Sequence, residues 1–99
     1  MDDNQDHFNL LRKINSRPKS TQREFAEELG FSLGKLNYCL KALKNKGLIK
    51  MKNFGKNPNK LNYIYVLTPR GITEKTKLTL NFMKRKMREY DELKKEIKY

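Results

Sequence analysis

The first half of the chain repeats apolar residues at intervals of three and four, which is the spacing of an amphipathic helix. A first helix over about residues 5–16 is predicted by Phe8, Leu10, Leu11 and Ile14. A second helix begins near Gln22, because Thr21 and Glu24 have the spacing of a capping box, in which each side chain satisfies a free backbone N–H. Its apolar face is Phe25, Ala26 and Leu29.

A tight turn leads from this helix into a third. Gly30 suits the left-handed residue that ends a helix, and Ser32 can cap the next helix two residues later. The third helix is predicted over residues 32–46, and Gly47 ends it. Its apolar stripe, expected to face the core, is Leu33, Leu36, Leu40 and Leu43. With the small Ala26 where the two helices cross, this is a helix-turn-helix pattern.

Beyond the third helix the pattern becomes that of extended chain. The segments LIKMK (48–52) and LNYIYVL (61–67) are rich in strand formers. The residues between them include the turn formers Gly55, Asn57, Pro58 and Asn59. They predict a two-stranded hairpin, or wing, with a lysine-bearing tip at residues 53–60. A last helix then begins with Thr68 as its cap and Pro69 at its first position, and continues toward the C-terminus.

This order of elements predicts an α+β fold. We expect a winged helix-turn-helix of three helices plus a β-hairpin wing over residues 1–70, and a long C-terminal helix for dimerisation over residues 71–99. The 99 residues suffice for one small domain. Hydrophobic residues make up only 36% of them, so the core is thin and we expect a partner to cover some apolar surface.

Charge is distributed unevenly along the chain. The net charge is +12, yet residues 31–60 alone hold eight lysines and no acid, whereas residues 1–30 are about neutral. Lysines are common solubilising residues on an exposed helix face, but thirty residues without any acid indicate attraction to a polyanion. Nucleic acid, anionic lipid and an acidic protein all fit this charge. Lipid is disfavoured, because no apolar run approaches the length of a membrane span.

The side of the third helix opposite its leucine stripe is expected to enter the major groove of duplex DNA. Lys35 and Lys41 there can neutralise phosphates. Asn37 and Tyr38 can donate to phosphates or base edges, and Gly34 allows the helix to approach the groove closely. The DNA-binding residues predicted for the helix-turn-helix are Gln22, Ser32, Gly34, Lys35, Asn37, Tyr38 and Lys41. Those predicted for the wing, on flanking backbone, are Lys56, Asn57, Asn59 and Lys60.

The last helix carries a second apolar stripe, at the spacing of a coiled-coil seam. It consists of Leu80, Met83, Met87, Tyr90, Leu93 and Ile97. The stripe can fold back over the first helix of the same chain, as we expect for Leu78 and Phe82, or it can pair with a second copy. We favour a homodimer, because a symmetric pair places two third helices about 34 Å apart, the repeat of successive major grooves and of a palindromic operator.

From Gln22 to Lys75 the sequence resembles the MarR-type winged helix regulators. The segments SLGKLNYCLKALKNKGLIK and YVLTPRGITEK, and farther on RKMREYDELKKEI, are especially similar to the short MarR-like regulators associated with exopolysaccharide (EPS) gene clusters. The resemblance implies a bacterial dimeric transcription regulator. Typical members carry an Asp and an Arg in the wing where this chain has Asn59 and Leu61, and longer terminal helices that enclose an effector pocket. The resemblance therefore implies neither a wing arginine nor a small-molecule effector.

The chain has one histidine, one cysteine, no phosphate loop and no metal-ligand spacing, so we expect neither an enzyme nor a cofactor. Cys39 is expected to behave as a small apolar side chain, and His7 to lie in a mobile acidic tail; a redox role for Cys39 and a weak metal site at His7 are less favoured alternatives. The sequence thus predicts a cytoplasmic, sequence-specific DNA-binding transcription regulator, a repressor. A winged helix that binds RNA or an acidic protein is the alternative function.

Overall fold

Four helices and one β-hairpin form the computed structural model of the protein, in which residues 3–53 and 63–97 are described. In chain order they are α1 (Asp3–Ser16), α2 (Gln22–Leu29), α3 (Leu33–Asn45), β1 (Ile49–Asn53), β2 (Tyr63–Leu67) and α4 (Pro69–Glu96). The two strands are antiparallel, with Ile49 opposite Leu67 and Asn53 opposite Tyr63. The predicted α+β winged helix with a long C-terminal helix is therefore confirmed.

The helix-turn-helix is held by the predicted caps. Glu24 N donates to Thr21 Oγ1 over 3.1 Å, and Thr21 N donates to Glu24 Oε1 over 2.9 Å, so the capping box closes in both directions. The hydrogen bonds from the Thr21 backbone and hydroxyl hold the pKa of Glu24 below its ordinary value, because they stabilise the ionised carboxylate. Gly30 ends α2 in the left-handed conformation, with φ of 70°.

The core lies where α1, α2 and α3 meet the beginning of β1. Its buried members are Leu10, Leu11, Ile14, Phe25, Ala26, Leu36, Cys39, Leu40, Leu43, Leu48 and Ile49. Cys39 is thus buried among apolar side chains, in the setting predicted for it. Burial of each leucine-sized side chain contributes about 1.5–3 kcal/mol, so this one cluster accounts for most of the hydrophobic stabilisation.

Two sequence predictions about burial are wrong. Leu33 was expected to face the core but is 47% exposed. Helical side chains point toward the helix N-terminus, and Leu33 is the first residue of α3, so its side chain extends past the end of the helix. Phe31, just before the cap, packs against the core instead.

His7 does not lie in a mobile tail, because α1 already begins at Asp3. Its side chain is buried, since His7 continues the apolar spacing of Leu11 and Ile14 along α1.

A joint at Thr68 fastens α4 to the start of β1. The Thr68 Oγ1 hydroxyl donates to Gly47 O over 2.6 Å and accepts from Gly71 N over 3.1 Å, which caps α4. Thr68 N also donates to Leu48 O over 3.0 Å. Gly71 is buried against Leu48, and a Cβ at position 71 would overlap the Leu48 carbonyl group, 2.9 Å from its carbon. Glycine is therefore required where these two elements cross.

Beyond this joint, α4 leaves the body of the protein. Its 28 residues extend about 42 Å, and the molecule is 67 Å long but only 27 by 21 Å in cross-section. Leu78 packs against the core, and the Phe82 ring lies 5.7 Å from the Phe8 ring of α1. The prediction that Leu78 and Phe82 fold back over the first helix is thus in agreement with the structure.

Replacing Gly71 with alanine is expected to destabilise the fold by about 1–3 kcal/mol, because the new methyl group overlaps the Leu48 backbone and α4 must shift. The matched control is Gly34→Ala, another helical glycine, where an added Cβ meets nothing within 4 Å and should stabilise α3 by up to about 1 kcal/mol. Urea unfolding followed by circular dichroism, at one protein concentration, measures both. Equal stability of the two variants would contradict the role assigned to Gly71.

Candidate nucleic-acid interface

One side of α3 is exposed over its whole length. Leu36, Leu40 and Leu43 are buried, so the residues between them turn outward at about 100° per residue. The exposed predicted residues are Gly34, Asn37, Tyr38 and Lys41, with Ser32 exposed at the cap. Tyr38 is 66% exposed, which leaves its ring and hydroxyl free to reach another molecule. We call this set the α3 face.

The α3 face is electropositive. Its helix has no acid in its first turn, and none of α3, β1 and β2 contains an acidic residue. Ser32 Oγ accepts from Lys35 N over 3.1 Å, while the remaining N–H groups of the first turn add the positive end of the helix dipole. Within the described residues, Lys41 forms no ion pair, so its charge faces solvent uncompensated. The arrangement suits phosphate groups, which carry the opposite charge.

Lys35 departs from the predicted arrangement. Its ammonium lies 3.1 Å from Asp6 Oδ2 of α1 and 4.4 Å from the centre of the Phe31 ring. The side chain is therefore directed toward α1 rather than away from the body of the protein. The flexible lysine stem permits this, because it can lie across an apolar ring while its charge reaches a carboxylate.

The other predicted positions are distributed between α2 and the wing. Gln22 is exposed at the first position of α2, next to the Thr21 cap. On β1, Lys50 and Lys52 are exposed at the base of the wing. The remaining wing positions, Lys56, Asn57, Asn59 and Lys60, lie outside the described residues.

Asp6 is the residue that sequence reasoning missed. It precedes His7 and belongs to the acidic segment for which a mobile tail is expected, but it lies in α1, and its side chain is only 16% exposed beside Lys35. A signal existed in the sequence: Asp6 is four residues before Leu10 and eight before Ile14, so it continues a buried helix face. A carboxylate at such a position indicates a cationic partner from a neighbouring element.

The predicted dimerisation stripe of α4 is exposed in the single chain. Each of Leu80, Met83, Met87, Tyr90, Leu93 and Ile97 is between 51% and 63% exposed. Large apolar side chains in a continuous row are unusual on a solvent-facing helix and are typical of an interaction surface. Among the described residues, no helix has the length and apolar character needed to cross a membrane.

Comparison with protein families places this fold. Residues 7–50 match the family described as winged helix-turn-helix DNA-binding. The matched segment runs from α1 through the helix-turn-helix into β1, and so includes the whole α3 face. A search of curated proteins found no significant match. The fold and this match agree on a winged helix-turn-helix.

Solved structures of MarR-family and related regulators have a similar fold. The transcriptional repressor CouR, bound to a 23-mer DNA duplex, is similar with a TM-score of 0.70 and 24% identity over 87% of this chain and 59% of CouR. Staphylococcus aureus MarR in complex with salicylate and kanamycin is similar with a TM-score of 0.69 and 22% identity, over 88% of this chain and 57% of that MarR chain. Streptococcus pneumoniae FabT in complex with DNA is similar with a TM-score of 0.64 and 20% identity, over 88% of this chain and 59% of FabT.

The predicted winged helix fold is thereby confirmed, and it is a fold that solved MarR-family regulators share. The chain spans 57–59% of the length of these three proteins, so it corresponds to only part of each. The similarity to the EPS-associated subgroup stays a prediction.

Proposed function

We propose that this protein is a sequence-specific regulator of transcription that binds duplex DNA as a homodimer and acts as a repressor. The observation that carries the proposal is the exposed, acid-free α3 face within a winged helix-turn-helix fold. In this fold the second helix of the motif enters the major groove, and a face without carboxylates avoids repulsion by the phosphates on both sides of that groove.

Each residue of the α3 face has a chemically distinct part in the proposal. Lys41 neutralises a phosphate, because an ammonium on a flexible stem acts as a point charge. Tyr38 and Asn37 donate hydrogen bonds to base edges, or to phosphate where the groove geometry favours it. Gly34 and Ser32 bring the helix N-terminus close to the backbone, and Gln22 at the start of α2 contacts the flanking strand.

The wing extends the interface beyond the groove that α3 reads. Lys50 and Lys52 at its base are exposed and cationic. In the proposal, the wing residues Lys56, Asn57, Asn59 and Lys60 contact flanking backbone. These contacts position the protein on the duplex without selecting a sequence.

The homodimer is proposed from the exposed stripe of α4. A second copy would cover the apolar row that the single chain leaves exposed between residues 80 and 97. In this division of labour, residues 1–70 bind DNA and residues 71–99 dimerise. Two-fold symmetry presents two α3 helices to successive major grooves, and the matching operator is palindromic. CouR and FabT, solved with DNA, support this mode of binding for the fold.

The proposal includes no catalysis and no small-molecule effector, and it places the protein in the cytoplasm at the nucleoid. A groove of about 480 Å³ between α1, α2 and α4 is lined mainly by polar and charged side chains such as Arg12, Lys13, Glu28 and Lys75. Ligand sites of small organic molecules are usually lined by apolar groups.

Lys41→Ala is expected to weaken binding to all duplexes and to lower the slope of log K against log salt by about 0.9 for each subunit, because one phosphate contact and its released counterion are lost. Fluorescence anisotropy with a mixed-sequence duplex at several salt concentrations measures the slope. The control is Lys95→Ala, an exposed lysine near the end of α4, which should leave the slope unchanged. If Lys41→Ala, Lys95→Ala and the unaltered protein have the same salt slope, Lys41 does not contact a phosphate.

Tyr38→Ala is expected to narrow the affinity gap between an operator and random DNA, because a contact to a base edge contributes about 1–3 kcal/mol of discrimination. A duplex enriched by in vitro selection with the unaltered protein serves as the operator. Tyr38→Phe removes the hydroxyl and keeps the ring. If it loses as much discrimination as Tyr38→Ala, the base contact is made by the hydroxyl. An unchanged ratio in Tyr38→Ala would show that this residue reads no base.

Met87→Lys is expected to weaken the dimer, because a charge in the centre of the proposed seam must be desolvated when two copies meet. Sedimentation equilibrium measures the dissociation constant. Glu92→Gln is the control: it changes the net charge by the same amount at a residue about 140° away around α4, and should leave association unchanged. A monomer in the unaltered protein at micromolar concentration would exclude the proposed dimer.

A further inference from the structure

We infer that Asp6 and Lys35 form a latch that fixes the orientation of α3 on α1, so that Lys35 is a positioning residue for DNA reading and not a phosphate contact. The inference rests on the proposed function for its effect on DNA. The latch itself is a property of the folded chain and can be tested without DNA.

The latch joins three segments of the chain. The Lys35 ammonium of α3 lies 3.1 Å from Asp6 Oδ2 of α1 and 4.4 Å above the Phe31 ring of the turn between α2 and α3. The Phe31 backbone is itself fixed, since Phe31 N donates to Ala26 O over 2.8 Å. The two charged side chains are only 32% and 16% exposed, so solvent screens this pair less than a fully exposed one.

This pair differs from the other ion pairs of the described residues. Glu28 of α2 pairs with Lys13 and Arg17 at the C-terminal end of α1, and Lys86 pairs with Glu89 within α4. Of these ion pairs, the one between Asp6 and Lys35 connects α3 to another element. It therefore opposes rotation of α3 about its own axis, in addition to the apolar contacts of the leucine stripe.

Lys35 is held from both ends. Its backbone N–H donates to Ser32 Oγ over 3.1 Å, and its side chain is paired with Asp6. Reaching a phosphate would require the ammonium to leave both the carboxylate and the ring, and would leave the Asp6 charge uncompensated near DNA. Lys41, about 1.7 turns farther along α3, has no such competing partner among the described residues.

The latch also connects α3 to the proposed dimer. Its neighbours on α1 contact α4: Arg85 Nη2 lies 3.4 Å from Gln5 Oε1, and the Phe8 ring lies 5.7 Å from the Phe82 ring. The path from α3 through α1 to α4 is therefore continuous in direct contacts. Loosening the latch should disturb how two α3 faces are presented to successive grooves, and so weaken operator binding more than random binding.

The test compares Asp6→Asn, Lys35→Met and Lys35→Arg on a selected operator and on a mixed-sequence duplex. Asp6→Asn and Lys35→Met should each reduce the ratio of operator to random affinity, by about threefold or more, although they change the net charge in opposite directions. The ratio of the two affinities is used because a change in net charge alters the affinity for both duplexes equally, and this effect cancels in the ratio. The salt slope should stay unchanged in Lys35→Met, in contrast to Lys41→Ala. Lys35→Arg keeps both contacts and should retain the ratio.

The outcomes separate the latch from its rivals. A slope lowered by about 0.9 per subunit in Lys35→Met, with Asp6→Asn like the unaltered protein, would make Lys35 a phosphate contact and overturn the inference. If the unaltered protein binds no duplex, the proposed function fails, and a double-mutant cycle on thermal unfolding judges the latch alone. Non-additive effects of Asp6→Asn and Lys35→Met in that cycle support the latch, and additive effects overturn it.

Discussion

Burial of one leucine stripe determines which side of α3 meets solvent. Leu36, Leu40 and Leu43 are at most 3% exposed, and each contributes about 1.5–3 kcal/mol to the core. Turning the helix far enough to bury the α3 face would expose all three, at a cost well above the 0–1 kcal/mol typical of a surface ion pair. The core therefore sets the coarse orientation of α3. The outward position of the charges on the opposite side of α3 follows from this orientation. The ion pair between Lys35 and Asp6 adjusts only the exact rotation of the helix about its axis.

The hydrogen bonds at the joint between β1 and α4 fix the position of α4 relative to α3. Thr68 bonds to the backbone of Gly47 and Leu48, immediately after α3, and the same threonine caps α4. Because α4 is one uninterrupted helix, the packing of Phe82 on Phe8 and the exposed stripe beyond it belong to one rigid element. Any partner that covers this stripe is thereby held at a defined distance from α3.

Local signals made most of this fold predictable from sequence. The capping box at Thr21, the turn at Gly30 and the cap at Thr68 depend on residues a few positions apart, and each lies where the sequence placed it. The departures depend on contacts between distant segments. Lys35 meets Asp6 across 29 positions of sequence, which no periodicity reports. The exposure of Leu33 and the burial of His7 likewise follow from where one helix ends relative to its neighbours.

The same contacts explain how a nearly neutral N-terminal third can adjoin the electropositive α3. Glu28 is paired with Lys13 and Arg17, and Glu24 is bonded to the Thr21 cap, so these acids are engaged within the first two helices. Glu28 is compensated by two cations within 4 Å, and at physiological salt the field of an exposed acid such as Glu24 decays over about 8 Å. The acid that does approach α3, Asp6, neutralises one lysine near the helix start. The field beyond Tyr38 and Lys41 is then set by the uncompensated cations of α3 itself, which is the condition that binding a phosphate backbone requires.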